Sequence, residues 1–282
     1  MKVAISVQTS ADLSKELIAK YDIKVIPFTI HLGEKTYADG EITSEEIIEY
    51  VNKNKVLPKT SAINEFQYTE HFEELLKEYD AVVHFSISSK LSSAYENAVK
   101  ASQKYSNVYV LDTFSLSTGI ALLALYGAQL RDEGKNANEI YQSCKKRVNA
   151  LQVSFELQRV DYLYKGGRCS VLALLGANVF RIRPQILVVD GKMISGKKFK
   201  GNYNKVVEEY CNDILQRFNT PDLSTAFITY TTAPQEVLDI AYNHLKQAGF
   251  KQIYFTRAGG TITSHCGEDC LGILYLNDGD KI

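Results

Sequence analysis

Apolar residues along the chain fall into short runs and helical stripes separated by polar, Gly- and Ser-rich joints. Val3 to Val7 alternates weakly and predicts a first strand. A helix follows through about Tyr21, with Ser10 or Asp12 as its cap. Ile23 to Leu32 is rich in β-branched and aromatic residues and contains Pro27, the pattern of an edge strand. Gly33-Glu34-Lys35 and Asp39-Gly40 read as turns. Thr43-Ser44-Glu45-Glu46 is a capping box, and Ile47, Ile48 and Val51 place one apolar face on the helix it opens, which runs to about Asn54. Leu57 to Asn64 reads as a loop, Glu65 to Glu78 as a helix and Ala81 to Ile87 as a buried strand. A helix over Ala94 to Tyr105, a strand over Val108 to Asp112 and a long apolar helix over Ile120 to Arg131 continue the alternation.

A helix over about Ala137 to Leu151 precedes a change of texture. Leu163 to Arg168 reads as a hinge-like loop, with a helix from Ser170 to about Phe180 behind it. Ile186 to Val189 and Lys192 to Ile194, joined by Asp190-Gly191, form a hairpin signal. Helices over Tyr203 to Phe218 and Pro234 to Ala248 and strands over Thr225 to Thr231, Gln252 to Thr256 and Leu271 to Leu276 follow, with Gly259 to Gly267 as a loop. The predicted class is α/β, with an N-terminal, mostly parallel sheet carrying helices on both faces. A C-terminal α+β domain with a mixed or antiparallel sheet completes it, and the expected domains are 1–151 and 152–282.

A length of 282 residues suits two cores, and 45% hydrophobic with 23% charged residues is ordinary for a globular chain. A net charge of -1 offers no field for nucleic acid or an anionic membrane. The start turns polar too early for a signal peptide, and no apolar run is long enough for stable membrane insertion. Scattered cysteines, odd in number, point to reduced thiols, so a cytoplasmic location is expected.

Candidate chemistry gathers at Ser86 to Tyr95, which holds five serines in eight residues between a strand and a helix. A helix start carries unpaired N–H groups and partial positive charge, so this turn suits a small carboxylate or phosphate; the plainer alternative is that a serine there only caps the helix. Ligands of parallel α/β sheets sit beyond the carboxyl ends of the strands, where Thr9-Ser10, Ser88 to Ser93 and Thr113 to Ser117 all fall. Arg168, after Gly166-Gly167, is a candidate fixed cation, and His265 a candidate donor to an anion. Lys197, Lys198 and Lys200 form a small basic patch, usually just a wet face. His265, Cys266 and Cys270 lack the further ligands a zinc site needs, so no metal is expected. No Gly-x-Ser-x-Gly elbow, P-loop or dinucleotide fingerprint is present, and no cofactor is expected.

Taken together, Thr9 to Leu13, Thr60-Ser61, Ser88 to Tyr95, Asp112-Thr113 with Ser117 and Gly119, the Gly-Gly-Arg of Leu163 to Arg168, Asp190-Gly191, Lys198 to Gly201, and His265 with Gly267 resemble the DegV family, bacterial fatty-acid-binding proteins that serve a fatty acid kinase. The resemblance implies one long-chain fatty acid buried between two domains. Its carboxylate would meet Thr60, Ser61, Ser92 and His265, with Arg168 as the family's Gly-Gly-Arg arginine. The kinase would phosphorylate the presented carboxylate, giving an acyl phosphate for phospholipid synthesis. The chain itself is then a lipid-binding protein with no catalytic residues of its own.

Departures from the family pattern fall at the site. Ala62-Ile63 replace Gln-Pro, Ser93 stands where glycine is usual, and Lys200 where arginine is expected, which keeps charge but loses the planar fork. Gly267-Glu268-Asp269 replace Gly-Pro-Gly after His265. Ser93 and Lys200 join the expected ligand-binding set. Two alternatives remain: a serine-dependent hydrolase or acyltransferase using Ser92 (or Ser93) with His265, and a sugar- or polyol-binding module.

Overall fold

The computed structural model describes residues 1–168 and 182–279. The first half runs β1 (Val3–Gln8), α1 (Lys15–Lys20), β2 (Ile23–Ile26), β3 (Thr29–Leu32), β4 (Lys35–Ala38), α2 (Ser44–Asn54), β5 (Lys59–Ser61), α3 (Glu65–Leu76), β6 (Ala81–Ser86), α4 (Ala94–Ser102), β7 (Val108–Asp112), α5 (Thr118–Asp132) and α6 (Ala137–Arg147). The second half runs β8 (Leu151–Glu156), α7 (Asp161–Lys165), β9 (Arg183–Val189), β10 (Lys192–Phe199), α8 (Tyr203–Arg217), β11 (Thr225–Tyr230), α9 (Gln235–Gln247), β12 (Gln252–Arg257), α10 (Gly260–Cys266) and β13 (Leu271–Leu276). The helix expected over Ser170 to Phe180 lies outside the described residues.

Near-continuous apolar runs produce the expected parallel sheet, ordered β2-β1-β6-β7, in which β1 and β6 are buried along their whole length. Helices α3 with α4 and α5 with α6 pack on its two faces. The second sheet, ordered β10-β9-β8-β13-β11-β12, is antiparallel except for the β11–β12 pair. Helix α5 touches strands of both sheets, which explains why it is apolar nearly all round rather than amphipathic. One apolar core therefore runs from Val83 and Phe85 through Ile120 and Leu123 to Val153 and Phe227. A second core lies under α8 and α9, around Val207, Tyr210 and Ile228.

Several local readings change. The expected strand Ile23–Leu32 is two strands in different sheets, because Pro27 cannot donate to a ladder and the chain turns there. Phe28 N–H donates instead to Thr9 Oγ1 at 3.1 Å. The first helix starts at Lys15 with Ser14 as its cap, since Asp12 sits at φ 53 and turns its carboxylate inward. Leu151 ends no helix: it begins β8, a central strand whose Val153 and Phe155 enter the core. Gly259–Gly267 is not a loop but carries α10, and Leu163 lies in α7.

The short helix α10 has weak intrinsic propensity, with Gly260 and three β-branched residues among its seven. Distant carboxylates hold it. Asp39 accepts from Gly260 N–H at 2.9 Å and Thr261 N–H at 3.1 Å, and Asp12 accepts from Gly259 N–H at 2.7 Å. Both acids belong to the first half, so the helix start is capped from more than two hundred positions away in sequence. Burial pushes the Asp12 carboxyl up to about 8, against the lowering by hydrogen bonds from Ser117 and Gly259. Folding thus favours its protonated form. Its contribution is complete below about pH 4 and is lost as pH rises through 8. Thermal unfolding followed across this range should show stability falling more steeply in the natural protein than in Asp12→Asn, which has no proton to lose.

Candidate functional site

The loops after β1, β6 and β7 form one rim, and α10 lies over it, touching α2, α7, β3 and β5. Between them is a cavity of about 50 Å³ whose polar lining is Thr60, Ser92, Arg168, Thr261 and His265. Phe28, Ile87, Leu91 and Met193 supply apolar walls. His265 Nε2 lies 2.9 Å from Thr60 Oγ1. Its Nδ1, packed against Gly166, is buried with no partner among the described residues, as is Thr261 Oγ1 on the cavity wall. Unpaired buried polar atoms are uncommon and mark places where a ligand group is accommodated. Burial and then the Arg168 charge push the His265 imidazole down to about 4, so it is neutral at pH 7 and can both donate and accept.

The Gly-Gly-Arg segment seats this histidine. A Cβ on Gly166 would lie 2.6 Å from His265 Nδ1 and 2.9 Å from the Tyr162 carbonyl oxygen, so only glycine lets the ring pack there. Gly167 has φ +70, which turns the chain so that Arg168 Nη1 donates to the Gly166 carbonyl at 2.6 Å. At the serine turn, Ser88 Oγ donates to the Gly191 carbonyl, tying the turn to the β9–β10 hairpin. Ser92 Oγ accepts from Ala94 N–H at 3.2 Å, at the start of α4.

A second cavity of about 20 Å³ adjoins the first at Leu116, Ile262 and Cys266, which line both. It lies between the start of α5 and the sheet strands β8, β11 and β13, walled by Phe155, Ala258, Cys270 and Leu274. Ser117, Ser154, Thr229 and Thr231 also line it, yet each of these four hydroxyls is engaged by the protein. Ser117 donates to Asp12, Ser154 pairs with Tyr210, Thr229 pairs with Thr118 at 2.6 Å, and Thr231 accepts from Cys270 N–H. The cavity therefore offers carbon and sulfur surface, and a hydroxyl-rich sequence builds an apolar chamber. Polar groups are confined to one end, and both voids are smaller than a small-molecule site, so a long ligand has to part their walls.

Of the residues the sequence nominates, Thr60, Ser92, Arg168 and His265 converge on the first cavity. Ser61, Ser93 and Lys200 do not. Ser61 follows Thr60 on β5, and successive strand residues face opposite sides; its Oγ pairs with His31 Nε2 at 2.8 Å. Ser93 is exposed at the start of α4, with no side-chain cap bond, and lines neither cavity. Lys200 is exposed beyond the end of β10. Thr261 and the chamber residues Ala258, Cys266 and Cys270 escape sequence reading, because a Gly/Thr segment has no periodicity to place them.

The sequence profile of the family described as an uncharacterised protein, DegV family, matches residues 2–278. The chain belongs to the DegV family. It is 29% identical over 284 residues to a protein of Thermotoga maritima named fatty acid-binding protein, covering 96% of each chain. It is 27% identical over 287 residues to a DegV domain-containing protein of Clostridium perfringens, covering 98% of each. Among solved structures, a DegV lipid binding protein from Thermotoga maritima superposes with a TM-score of 0.85 at 26% identity, over 98% of both chains. A DegV family protein from Thermus thermophilus, described for its fatty acid binding, shares the fold with a TM-score of 0.91 at 22% identity, over 98% of this chain and 100% of that one. No described helix is long and apolar enough to cross a membrane.

Proposed function

We propose that this protein binds one long-chain fatty acid, with the tail in the apolar chamber and the carboxylate among Thr60, Ser92, Arg168, Thr261 and His265. The observation that carries this reading is an apolar chamber beside a polar one, sharing Leu116, Ile262 and Cys266, with Thr261 Oγ1 and His265 Nδ1 buried and unpartnered among the described residues. The names of the Thermotoga relatives support it. A tail of about 14 methylenes at roughly 0.8 kcal/mol each yields on the order of 10 kcal/mol before the costs of binding. The hydroxyls and the α4 start add about 1–3 kcal/mol and set orientation. The halves 1–151 and 152–282 act as two lobes, the second supplying α10 as part of the ligand's cover.

The bound carboxylate is presented to a separate fatty acid kinase, in the cytoplasm of a bacterium, as the first step toward phospholipid. Support for presentation comes from a broad outer groove bordering Thr60, Arg168 and His265, by which the head group is approached from outside. A hydrolase using Ser92 has less support: His265 Nε2 is paired with Thr60, and no carboxylate among the described residues orients Nδ1.

With purified kinase and oleate, Ser92→Ala combined with His265→Ala should lower oleate affinity only several-fold and phosphoryl transfer by roughly a hundredfold or more, since head-group contacts position the reacting oxygen while the tail dominates binding. Gly166→Ala should behave like His265→Ala, because its methyl displaces the ring. Unchanged transfer in these variants would remove the histidine and serine from the presenting site.

A further inference from the structure

The outer groove has a charge pattern that carboxylate binding does not use. It is about 490 Å³ in volume and is bordered by Lys55, Lys59, Lys165 and Arg168, with no carboxylate among its described lining residues. None of these cations is in an ion pair among the described residues, although the chain as a whole carries -1. Arg168, Thr60 and His265 border both this groove and the inner polar cavity, so the two adjoin at these residues. His265 Nδ1 there is buried, with no partner among the described residues.

A singly charged carboxylate is already served by hydroxyls and one arginine. A concentration of cations without counter-charges just outside it suits a more highly charged oxyanion, because each oxygen of a phosphoryl group accepts charge-assisted hydrogen bonds and the group spans more than one donor. Lys55 has its backbone fixed at φ 57 as the cap of α2, and Lys165 closes α7, so the ammonium groups extend from ordered element ends.

We propose that the groove edged by Lys55, Lys59 and Lys165 is a subsite for a phosphoryl group standing next to the ligand's carboxylate position. This rests on the fatty-acid reading of the inner cavities. The phosphoryl group is either attached to the acyl chain's head or arrives free in solution, and both sources present the same oxyanion to the same lysines.

The test compares palmitic acid with hexadecylphosphonic acid, each displacing a fluorescent fatty acid from the full-length protein. Lys55→Gln, Lys59→Gln and Lys165→Gln combined should weaken the phosphonate roughly tenfold and palmitate less than about twofold. The phosphonate difference should shrink at high salt. Inorganic phosphate is a second arm: competition with the phosphonate but not with palmitate assigns the subsite to free phosphate as well, and no competition assigns it to the tail-attached group. Equal effects of the triple substitution on both lipids, or none on either, would overturn the subsite. Failure of the natural protein to bind palmitate at all would instead overturn the fatty-acid reading beneath it.

Discussion

Cys266→Phe should abolish fatty-acid uptake while leaving a folded protein. Cys266 is one of the residues that line both cavities, together with Leu116 and Ile262, so its side chain stands at their junction. A phenyl ring there blocks the junction between the polar end and the apolar chamber. Because tail burial supplies most of the gross binding free energy, losing the chamber costs several kcal/mol, or on the order of a thousandfold or more in affinity. The ring is larger than the free space beside Cys266, about 20 and 50 Å³, so folding should cost the roughly 1–3 kcal/mol usual for overpacking. Cys266→Ser is the control: it keeps the volume and should bind close to normally. Isothermal titration with oleate, alongside thermal unfolding, separates the outcomes. Normal binding by the phenylalanine variant would move the tail elsewhere.

Asp39→Ala has the largest expected effect on stability. Its carboxylate accepts from the first two backbone N–H groups of α10, at 2.9 and 3.1 Å, in a buried setting. Removing it leaves two buried donors unpaired, a cost of about 3 kcal/mol, or roughly 5–10 °C in melting temperature for a chain of this size. The loss should not stop at stability. Helix α10 carries Thr261, Ile262, His265 and Cys266, so a frayed start loosens both cavities at once. Oleate affinity should fall with the melting temperature, and saturating oleate should restore part of it, since a ligand that binds only the folded state stabilises that state. Asp39→Asn keeps one acceptor oxygen and should show a smaller loss. A melting temperature unchanged in Asp39→Ala would mean that α10 does not depend on this cap.

What a single chain discloses about its own fold depends on how local the responsible physics is. The parallel sheet is legible because β1, β6 and β7 are apolar runs buried on both faces, and α2 because Thr43 and Glu46 form a capping box within four residues. Helix α10 is not legible, because its cap comes from Asp39, 221 residues away, and nothing in Gly-Thr-Ile-Thr announces a helix. The serine turn borders the first cavity, yet only Ser92 of Ser92-Ser93 lines it. Likewise Thr60 points in and Ser61 out, a distinction that follows from strand alternation once β5 is seen as a strand rather than a loop. The apolar chamber is hidden for a different reason. Its hydroxyls look like ligand donors in sequence, and only their internal pairing with Asp12, Tyr210, Thr118 and Cys270 makes the surface apolar.

Native mass spectrometry of the protein purified from bacteria tests most directly whether a fatty acid occupies these adjoining cavities. The expected mass exceeds that of the bare chain by one long-chain fatty acid, with stoichiometric uptake of added palmitate or oleate after delipidation. A bare-chain mass that takes up neither lipid would contradict it.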